Sequence, residues 1–402
     1  MTTPARVVIA GGGVAALETL IALHDLARAR VDITVIAPDE SFTYRPMTVA
    51  EPFAKGHAHS YELAGIAKRF GARLVQDTVA EVAPLEQAIR TGDGKVIPYD
   101  HLVLATGARA KPAHAHAITF GEDREEEALH GLLRDAEEGY AKRIAFVVPN
   151  EATWVLPLYE LALMTAREAW TMGADWLEFV FVSPEDQPLA IFGGAASETV
   201  AELLAGAGIE FIGSSYTTVE RGHLILDPGA RRIDVTRVVS LPRLEGLQIP
   251  GIPVDAAGFV PVDTHGRVAG LEQVYAAGDG TAFPIKHGGL ATQQADAVAE
   301  TIPEAVDAPI VAEPFRPVLR GMLLTGGEAR FLRSGPAGGE GDAKVASHAL
   351  WWPPSKIAGR YLAPFLFSRD ELEAVERIRG DHLAVETVLS PVGSPAAPAM
   401  AP

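Results

Sequence analysis

The sequence predicts an α/β fold: two halves, each a parallel sheet flanked by helices, followed by a smaller C-terminal region. Three observations carry this reading. A β-branched run, Val7 to Ala10, ends in Gly11-Gly12-Gly13 and passes straight into a helical pattern. A second strand–helix–strand pattern begins near residue 142. Beyond about residue 312 the chain changes character, with hairpin, glycine-rich and proline-broken aromatic stretches.

Taken in order, the helix after the glycines is set by Val14, Leu17, Leu20, Ile21, Leu23 and Leu26 at helical spacing. Val31 to Ile36 is the next strand, closed by Pro38. Strand, helix and strand form a βαβ unit, which implies a parallel sheet and a right-handed crossover. Leu102 to Gly107 is a buried strand ending in a turn of small residues, and Glu122 to Glu127 is a solvated charged run. In the second half, Ile144 to Val148 is a strand and Leu156 to Trp170 a helix with Leu158, Leu161, Ala162 and Met164 on one side. The strand Leu177 to Val182, the helix Ser197 to Ala207 and the strand Ile209 to Ile212 follow. The stretch 35–40 (VIAPDE) echoes 181–186 (FVSPED), pointing to an internal duplication of one half. Val274 to Asp279 is another strand with a turn, and a helix runs from about Gly289 to Thr301. Met322 to Leu332 reads as a hairpin turning at Gly326-Gly327. Ser334 to Lys344 is a glycine-rich loop, Ala349 to Phe367 is apolar and broken by Pro353, Pro354 and Pro364, and 388–402 is a Pro/Ala/Ser tail expected to be disordered.

Composition narrows the chemistry. Among 402 residues there is no cysteine, and 34 basic against 52 acidic residues give 34 − 52 = −18. Disulfides, thiolate metal sites, cysteine nucleophiles and redox dithiols are therefore excluded. The acidic balance argues against nucleic acid as a partner, since both would be polyanions. Met1 to Arg6 runs directly into a strand without a cleavable-signal pattern, and no apolar run is long enough to span a bilayer. The expected location is cytoplasmic, with peripheral placement at the inner face of the membrane as the variant. His57/His59 and His114/His116 have H-x-H spacing with no third ligand nearby, so no metal site is assigned.

The chemistry centres on Gly11-Gly12-Gly13-Val14-Ala15-Ala16, which fits G-x-G-x-x-A between a strand and a helix. Gly11 permits the tight turn, Gly13 lets the backbone approach a pyrophosphate, and Ala16 allows close helix–strand packing. The helix start at Val14 and Ala15 presents free N–H groups and the positive dipole end to phosphate. An acid usually ends the second strand to hold a ribose hydroxyl. Here Ala37 stands at that place, so Asp39 and Glu40 are the candidates, with backbone groups as the alternative.

Together with 104–107 (LATG) and 276–279 (AAGD), this motif resembles the two-dinucleotide-binding-domain flavoprotein superfamily. Within it, 42–46 (FTYRP) and 286–295 (KHGGLATQQA) are similar to the branch of sulfide:quinone oxidoreductases and type II NADH dehydrogenases. The resemblance covers about residues 5–332. It implies two Rossmann-like domains binding FAD and an NAD(P)-type ligand: an FAD domain from 1–112 and 240–312, a second domain from 113–239, and a C-terminal interface region from 313–387. It further implies that Gly11, Gly13, Val14, Ala15 and Ala16 cradle the FAD pyrophosphate, with Asp39 toward the ribose. Arg45 and Pro46 would pass the flavin ring, Ala105, Thr106 and Gly107 would lie where the chain crosses back, and Gly278 and Asp279 would meet the ribityl or phosphate side. Gly289 and Leu290 would open a helix aimed at the flavin pyrimidine edge. A helix N-cap is the plain alternative for Asp279.

Cysteine-free, the chain cannot run the sulfur chemistry of that branch, but flavin takes hydride without it. The implied activity is an FAD-dependent oxidoreductase passing electrons from a small-molecule donor, NAD(P)H being the candidate, to a quinone-like acceptor. The rivals are a flavoprotein oxidising a small substrate without nicotinamide and a non-catalytic flavin-binding regulator. The second-half turn, Pro149 to Pro157, has no glycine, which hinders NAD(P)H. Glu160, Lys286 and His287 are the catalytic candidates, the last two as a cation and a proton relay beside the flavin. Glu160 as a merely exposed helical residue is the competing reading. Glu185 and Asp186 could face a ribose or a plain turn, and Trp154 a ligand or the core. Segment 349–367 mixes aromatic and basic residues, suiting a peripheral membrane contact, a homodimer interface or a lid.

Overall fold

The computed structural model describes residues 3–121, 125–335 and 343–370, with the side chains of 125 and 126 left aside. The start of the charged run, the middle of the glycine-rich loop, residues 371–387 and the expected tail lie outside the described residues. The chain forms two units, Met1–Pro364 and Phe365–Pro402; of the second, residues 365–370 are described and are helical.

Along the first unit, the elements that position the site are β1 (Ala5–Ala10), α1 (Val14–Leu26), β2 (Val31–Ala37), β3 (Arg73–Gln76), β4 (His101–Leu104) and β5 (Ala108–Lys111). Then come β6 (Ile118–Thr119), β7 (Arg143–Val147), α2 (Leu156–Thr171), β8 (Glu178–Val182), α3 (Gly194–Gly206), β9 (Ile209–Ile212), β10 (Arg237–Ser240) and β11 (Arg243–Gly246). The series ends with β12 (Val274–Ala276), α4 (Gly288–Ala305), β13 (Leu319–Leu323), β14 (Arg330–Ser334) and β15 (Lys344–Ala346).

Both halves build the expected parallel sheet. The first has strand order β12-β4-β1-β2-β3 and the second β6-β10-β7-β8-β9. Their central strands read as continuous apolar runs because helices or further sheet cover both faces; Val7 to Ala10 and His101 to Leu104 are all buried. The two halves are joined by the antiparallel ribbon β5–β11. The second sheet carries a three-stranded antiparallel meander from Tyr216 to Asp234 on its other face, sharing a core of Val147, Val180, Val182, Leu224 and Leu226. The hairpin expected near Met322 is present as β13–β14, extended by β15.

Helix α1 departs from a one-sided amphipathic pattern. Every residue from Ala15 to Leu23 is buried, Glu18 and Thr19 included. The helix lies between the first sheet and α4, so it has no solvent face in its first two turns. A carboxylate at Glu18 is admitted only because partners meet it there.

Candidate functional site

The three expected motifs converge at the carboxyl end of the first sheet. The sheet hydrogen bonding continues past the strands: Gly11 N donates to Ile36 O at 2.8 Å, Ala105 N to Ala10 O at 2.8 Å, and Ala277 N to Leu104 O at 3.0 Å. The loops after β1, β4 and β12 are thereby drawn side by side. They line a cavity of about 1680 Å³ with Gly11 to Ala15, Ala105 to Arg109 and Ala277 to Asp279 on its walls. Asp39, Glu40, Arg45 and Pro46 complete the side nearest β2. This is the crevice outside the carboxyl ends of the strands where open α/β sheets bind ligands.

The glycines divide their work. A Cβ on Gly11, at φ +129°, would stand 2.1 Å from the Ala105 carbonyl, so the turn itself requires glycine. A Cβ on Gly12 would meet Leu63 at 2.7 Å, a packing constraint that the motif alone did not reveal. At Gly13 no protein atom comes within 4 Å of that position, and the backbone faces open cavity. Ala16 is buried and packs rather than lines.

Asp279 is a cavity residue, and the N-cap reading is corrected: α4 begins at Gly288 with His287 in the cap position. Asp279 is half-buried, crowding by protein raises its carboxyl, and Lys286 opposes that shift. Its carboxylate makes no hydrogen bond among the described residues, leaving it free to accept one from a ligand hydroxyl. Gln294 shapes this loop, its side-chain oxygen accepting from Gly278 N at 2.8 Å and its amide donating to Thr281 Oγ1 at 3.2 Å. Sequence reasoning noted Gln294 only inside a motif; its partners are assembled by the tertiary fold.

Other expectations change. Gly289 and Leu290 do not line the cavity; Gly288 and Ala291 do, one residue before and one after. Leu290 is in the core, and a Cβ on Gly289 would press on the His287 ring at 2.8 Å. His287 is buried, its Nδ1 has no partner, and its ring lies 4.3 Å from that of Trp154. Burial, with Lys356 and Arg320 nearby, pushes its imidazole down to about 3. It is therefore neutral at physiological pH. Lys286 is buried against the Phe259 ring, 3.7 Å from its centroid, and donates to Thr281 O. Burial lowers its ammonium to about 8, with Asp279 and Asp255 pulling the other way.

Glu160 is fully buried, not an exposed helical acid. Its carboxylate pairs with Lys356 Nζ at 2.6 Å and accepts Leu324 N at 2.8 Å. Lys356 also donates to Pro46 O at 3.1 Å, and the Ile357 N–H donates to Tyr44 OH at 2.8 Å. Segment 355–362 is thus a strap over the first half, and Ile357 lines the cavity beside Gly288. Within 349–367, Lys356 is buried, Arg360 pairs with Glu300, and Trp352 is 70% exposed. The cavity also includes Arg109, Arg243 to Pro250, and Asp77 to Ala80, which carried no motif signal.

The corresponding crevice of the second sheet is filled by the chain itself. Tyr159 OH on α2 donates to Glu185 at 2.8 Å, and Ser183 Oγ donates to the same carboxylate at 3.1 Å. Leu189 and Phe192 are buried there, and a Cβ on Gly321 of β13 would stand 2.8 Å from both Leu156 and Phe192. Trp154 is half-buried between Phe192 and His287. It packs against the core from its edge and adjoins the residue that caps α4. No group of three or more metal-ligating side chains occurs among the described residues, and no described helix is long and apolar enough to cross a membrane.

Residues 2–144 match the family model of pyridine nucleotide-disulphide oxidoreductases. A sulfide-quinone reductase of Aquifex aeolicus is 26% identical over 267 residues, covering 61% of this chain and 60% of that protein. The chain thus spans about 60% of the length of that relative. The crystal structure of sulfide:quinone oxidoreductase from Aquifex aeolicus superposes with a TM-score of 0.76 at 19% identity, covering 94% of this chain and 92% of that one. NDH2 of Plasmodium falciparum in complex with NADH superposes with a TM-score of 0.56 at 16% identity, over 69% and 64% of the two chains. Glycine turn, paired parallel sheets, converging loops and matched segment agree: the chain has the fold of these oxidoreductases, and its residues 2–144 are similar to the pyridine nucleotide-disulphide oxidoreductase family.

Proposed function

We propose that the protein is an FAD-dependent oxidoreductase that takes electrons from a small-molecule donor other than NAD(P)H and passes them to a quinone-like acceptor, without cysteine chemistry. The cavity residues fit FAD. Gly13 is open where a pyrophosphate would approach, and Asp279 lines the cavity with a carboxylate that makes no hydrogen bond among the described residues. Gly11, Gly13, Val14 and Ala15 would hold the pyrophosphate at the N-terminus of α1. Thr106, Gly107 and Asp279 would hold the hydroxyl-bearing chain, and Arg45, Pro46 and Gly288 the flavin. When bound, FAD supplies the two-electron acceptance that the side chains lack. The start of α4 at Gly288 directs its positive end into the cavity, where it favours the added negative charge of a reduced group. The domain division proposed with this reading is 1–112 plus 240–312 for FAD, 113–239 for the second sheet and 313–387 for the C-terminal region.

The observation that carries the choice of donor is the filled second crevice. A dinucleotide there would have to displace Phe192, break the Tyr159–Glu185 hydrogen bond and move β13 from Leu156. The turn leading into α2 offers Trp154 in place of glycine. The quinone-like acceptor is supported by the relatives named sulfide-quinone reductase. It is reached peripherally at a membrane in this reading, Trp352 being the exposed aromatic that would touch it.

The test is anaerobic titration of the purified flavoprotein with NADH, NADPH and sulfide, followed by photoreduction and mixing with a short-chain quinone. Flavin absorbance is expected, with no bleaching by either nicotinamide and fast reoxidation by the quinone. Bleaching by NADH or NADPH would overturn the donor reading. Reoxidation no faster than in buffer without quinone would overturn the acceptor and favour a flavin-binding regulator.

A further inference from the structure

Glu18 and Asp296 are two acids that the flavin site does not use. They face one another from α1 and α4, close enough that each carboxyl acts on the protonation of the other. Glu18 is completely buried. It accepts Tyr361 N at 2.8 Å and Leu362 N at 2.7 Å, so its two oxygens serve the strap as a carboxylate should. Asp296 Oδ1 is buried with no hydrogen-bond partner. Two carboxylates this close cannot both be charged in a buried site, and one proton held between them resolves the conflict. The proton belongs on Asp296, since Glu18 must stay an acceptor for the two amides.

The strap is fitted to this pair. A Cβ on Gly359 would stand 2.6 Å from Glu18 Oε2, and one on Gly288 would stand 2.9 Å from Ile357. Glycine at both points lets the backbone of 357–359 lie directly on the helices. Ile357 is thereby held in the cavity wall. Lys356 fastens the near end to Glu160, and the carboxyl pair fastens the far end.

We infer that Glu18 and Asp296 form a proton-sharing latch, a pair of positioning residues that seats segment 355–362 and with it the Ile357 wall of the cavity. The ionisable groups around the latch are Glu18 and Asp25 on α1, Asp296 and Glu300 on α4, and Arg360 and Tyr361 on the strap. Arg360 pairs with Glu300 at 2.9 Å with a side chain 59% exposed, so it adds little against solvent. The nearness of the Glu18 charge and burial together raise Asp296 to about 8, burial being the larger cause. An acid raised in the closed state binds a proton that the open state releases, so closure weakens as pH rises toward that value and levels off above it. The latch stands independently of which donor and acceptor serve the flavin.

The experiment is tryptic cleavage after Lys356 and Arg360 in the full-length, flavin-loaded protein from about pH 6 to about pH 9, a window that brackets the shared proton. Asp296→Asn, read at every pH, corrects for the protease and keeps a donor to Glu18 that does not titrate. The ratio of wild-type to Asp296→Asn cleavage is expected to climb several-fold per pH unit and then flatten near about pH 8. Glu18→Gln, which turns an amide toward the strap N–H groups, is expected to speed cleavage at all pH values. A ratio that stays flat overturns the latch, as does unchanged protection in Glu18→Gln. If Asp296→Asn does not fold, the infrared carbonyl band of a protonated carboxyl in the wild type decides. Its loss between about pH 7 and about pH 9 is required, and its absence throughout overturns the proposal.

Discussion

The Lys356 ammonium sits 2.6 Å from the Glu160 carboxylate, across 196 residues of sequence, and both side chains are buried. The pair does more than neutralise two charges. Glu160 also accepts Leu324 N, and Lys356 also reaches Pro46 O, so it ties α2, the turn after β13, the strap and the segment beside the cavity into one network. A buried pair of this kind is dangerous to halve, because desolvation of a lone charge is not repaid.

Lys356→Met is accordingly expected to lower unfolding free energy by about 3–5 kcal/mol, the range for removing one partner of a buried ion pair. The double variant Glu160→Leu with Lys356→Met should recover a substantial part of that loss. Chemical denaturation of the three proteins checks it; a double variant less stable than the single one would show that the network beyond the pair dominates.

Gly13→Val separates ligand binding from folding. The position has φ −90°, and a Cβ there has no protein atom within 4 Å and stands on the open side of the cavity. The expected outcome is an unchanged melting temperature for the flavin-free form and loss of retained FAD by at least tenfold. Gly11→Ala should instead fail at the fold, because its Cβ would meet the Ala105 carbonyl at 2.1 Å.

Asp279→Ala should release FAD while the flavin-free protein keeps its stability, since the carboxylate makes no hydrogen bond within the described residues. Asp279→Asn should retain more flavin than Asp279→Ala. Equilibrium dialysis with added FAD measures both, and equal occupancy in wild type and Asp279→Ala would remove Asp279 from the site.

His287 sets part of the acid limit. Its imidazole is held down at about 3, whereas an unfolded histidine protonates near 6.5. Between those values the unfolded chain binds the extra proton, so stability is complete above about pH 6.5 and falls as pH drops. The maximum slope is about 1.4 kcal/mol per pH unit. His287→Gln should flatten the stability–pH curve over this range by up to one proton. A slope unchanged in that variant would mean that the histidine is charged in the folded protein.

Local chemistry was readable where a residue's task depends on its neighbours in sequence. The turn at Gly11, the helix from Val14, the alternation of strands and helices and the hairpin near Met322 all follow from spacing and from glycine's conformational range. The glycine-less turn from Pro149 to Pro157 is likewise visible in sequence. Glu18 left a trace too, as an acid inside an otherwise apolar helical run. Gln294, Tyr44 and Lys356 left none, since each is defined by a partner supplied by the long-range fold.

The sequence by itself determined the α/β class, the two βαβ halves, the glycine turn at the head of α1 and a chain without thiols. Those are properties of adjacent residues and of composition. Only the tertiary structure decided that His287 is neutral, that Gly288 rather than Gly289 faces the cavity, that the second crevice is filled, and that the C-terminal segment is a strap. Each depends on burial and on close approach between distant segments. Desolvation and packing act through space, and no local pattern records which strand, helix or strap will arrive there.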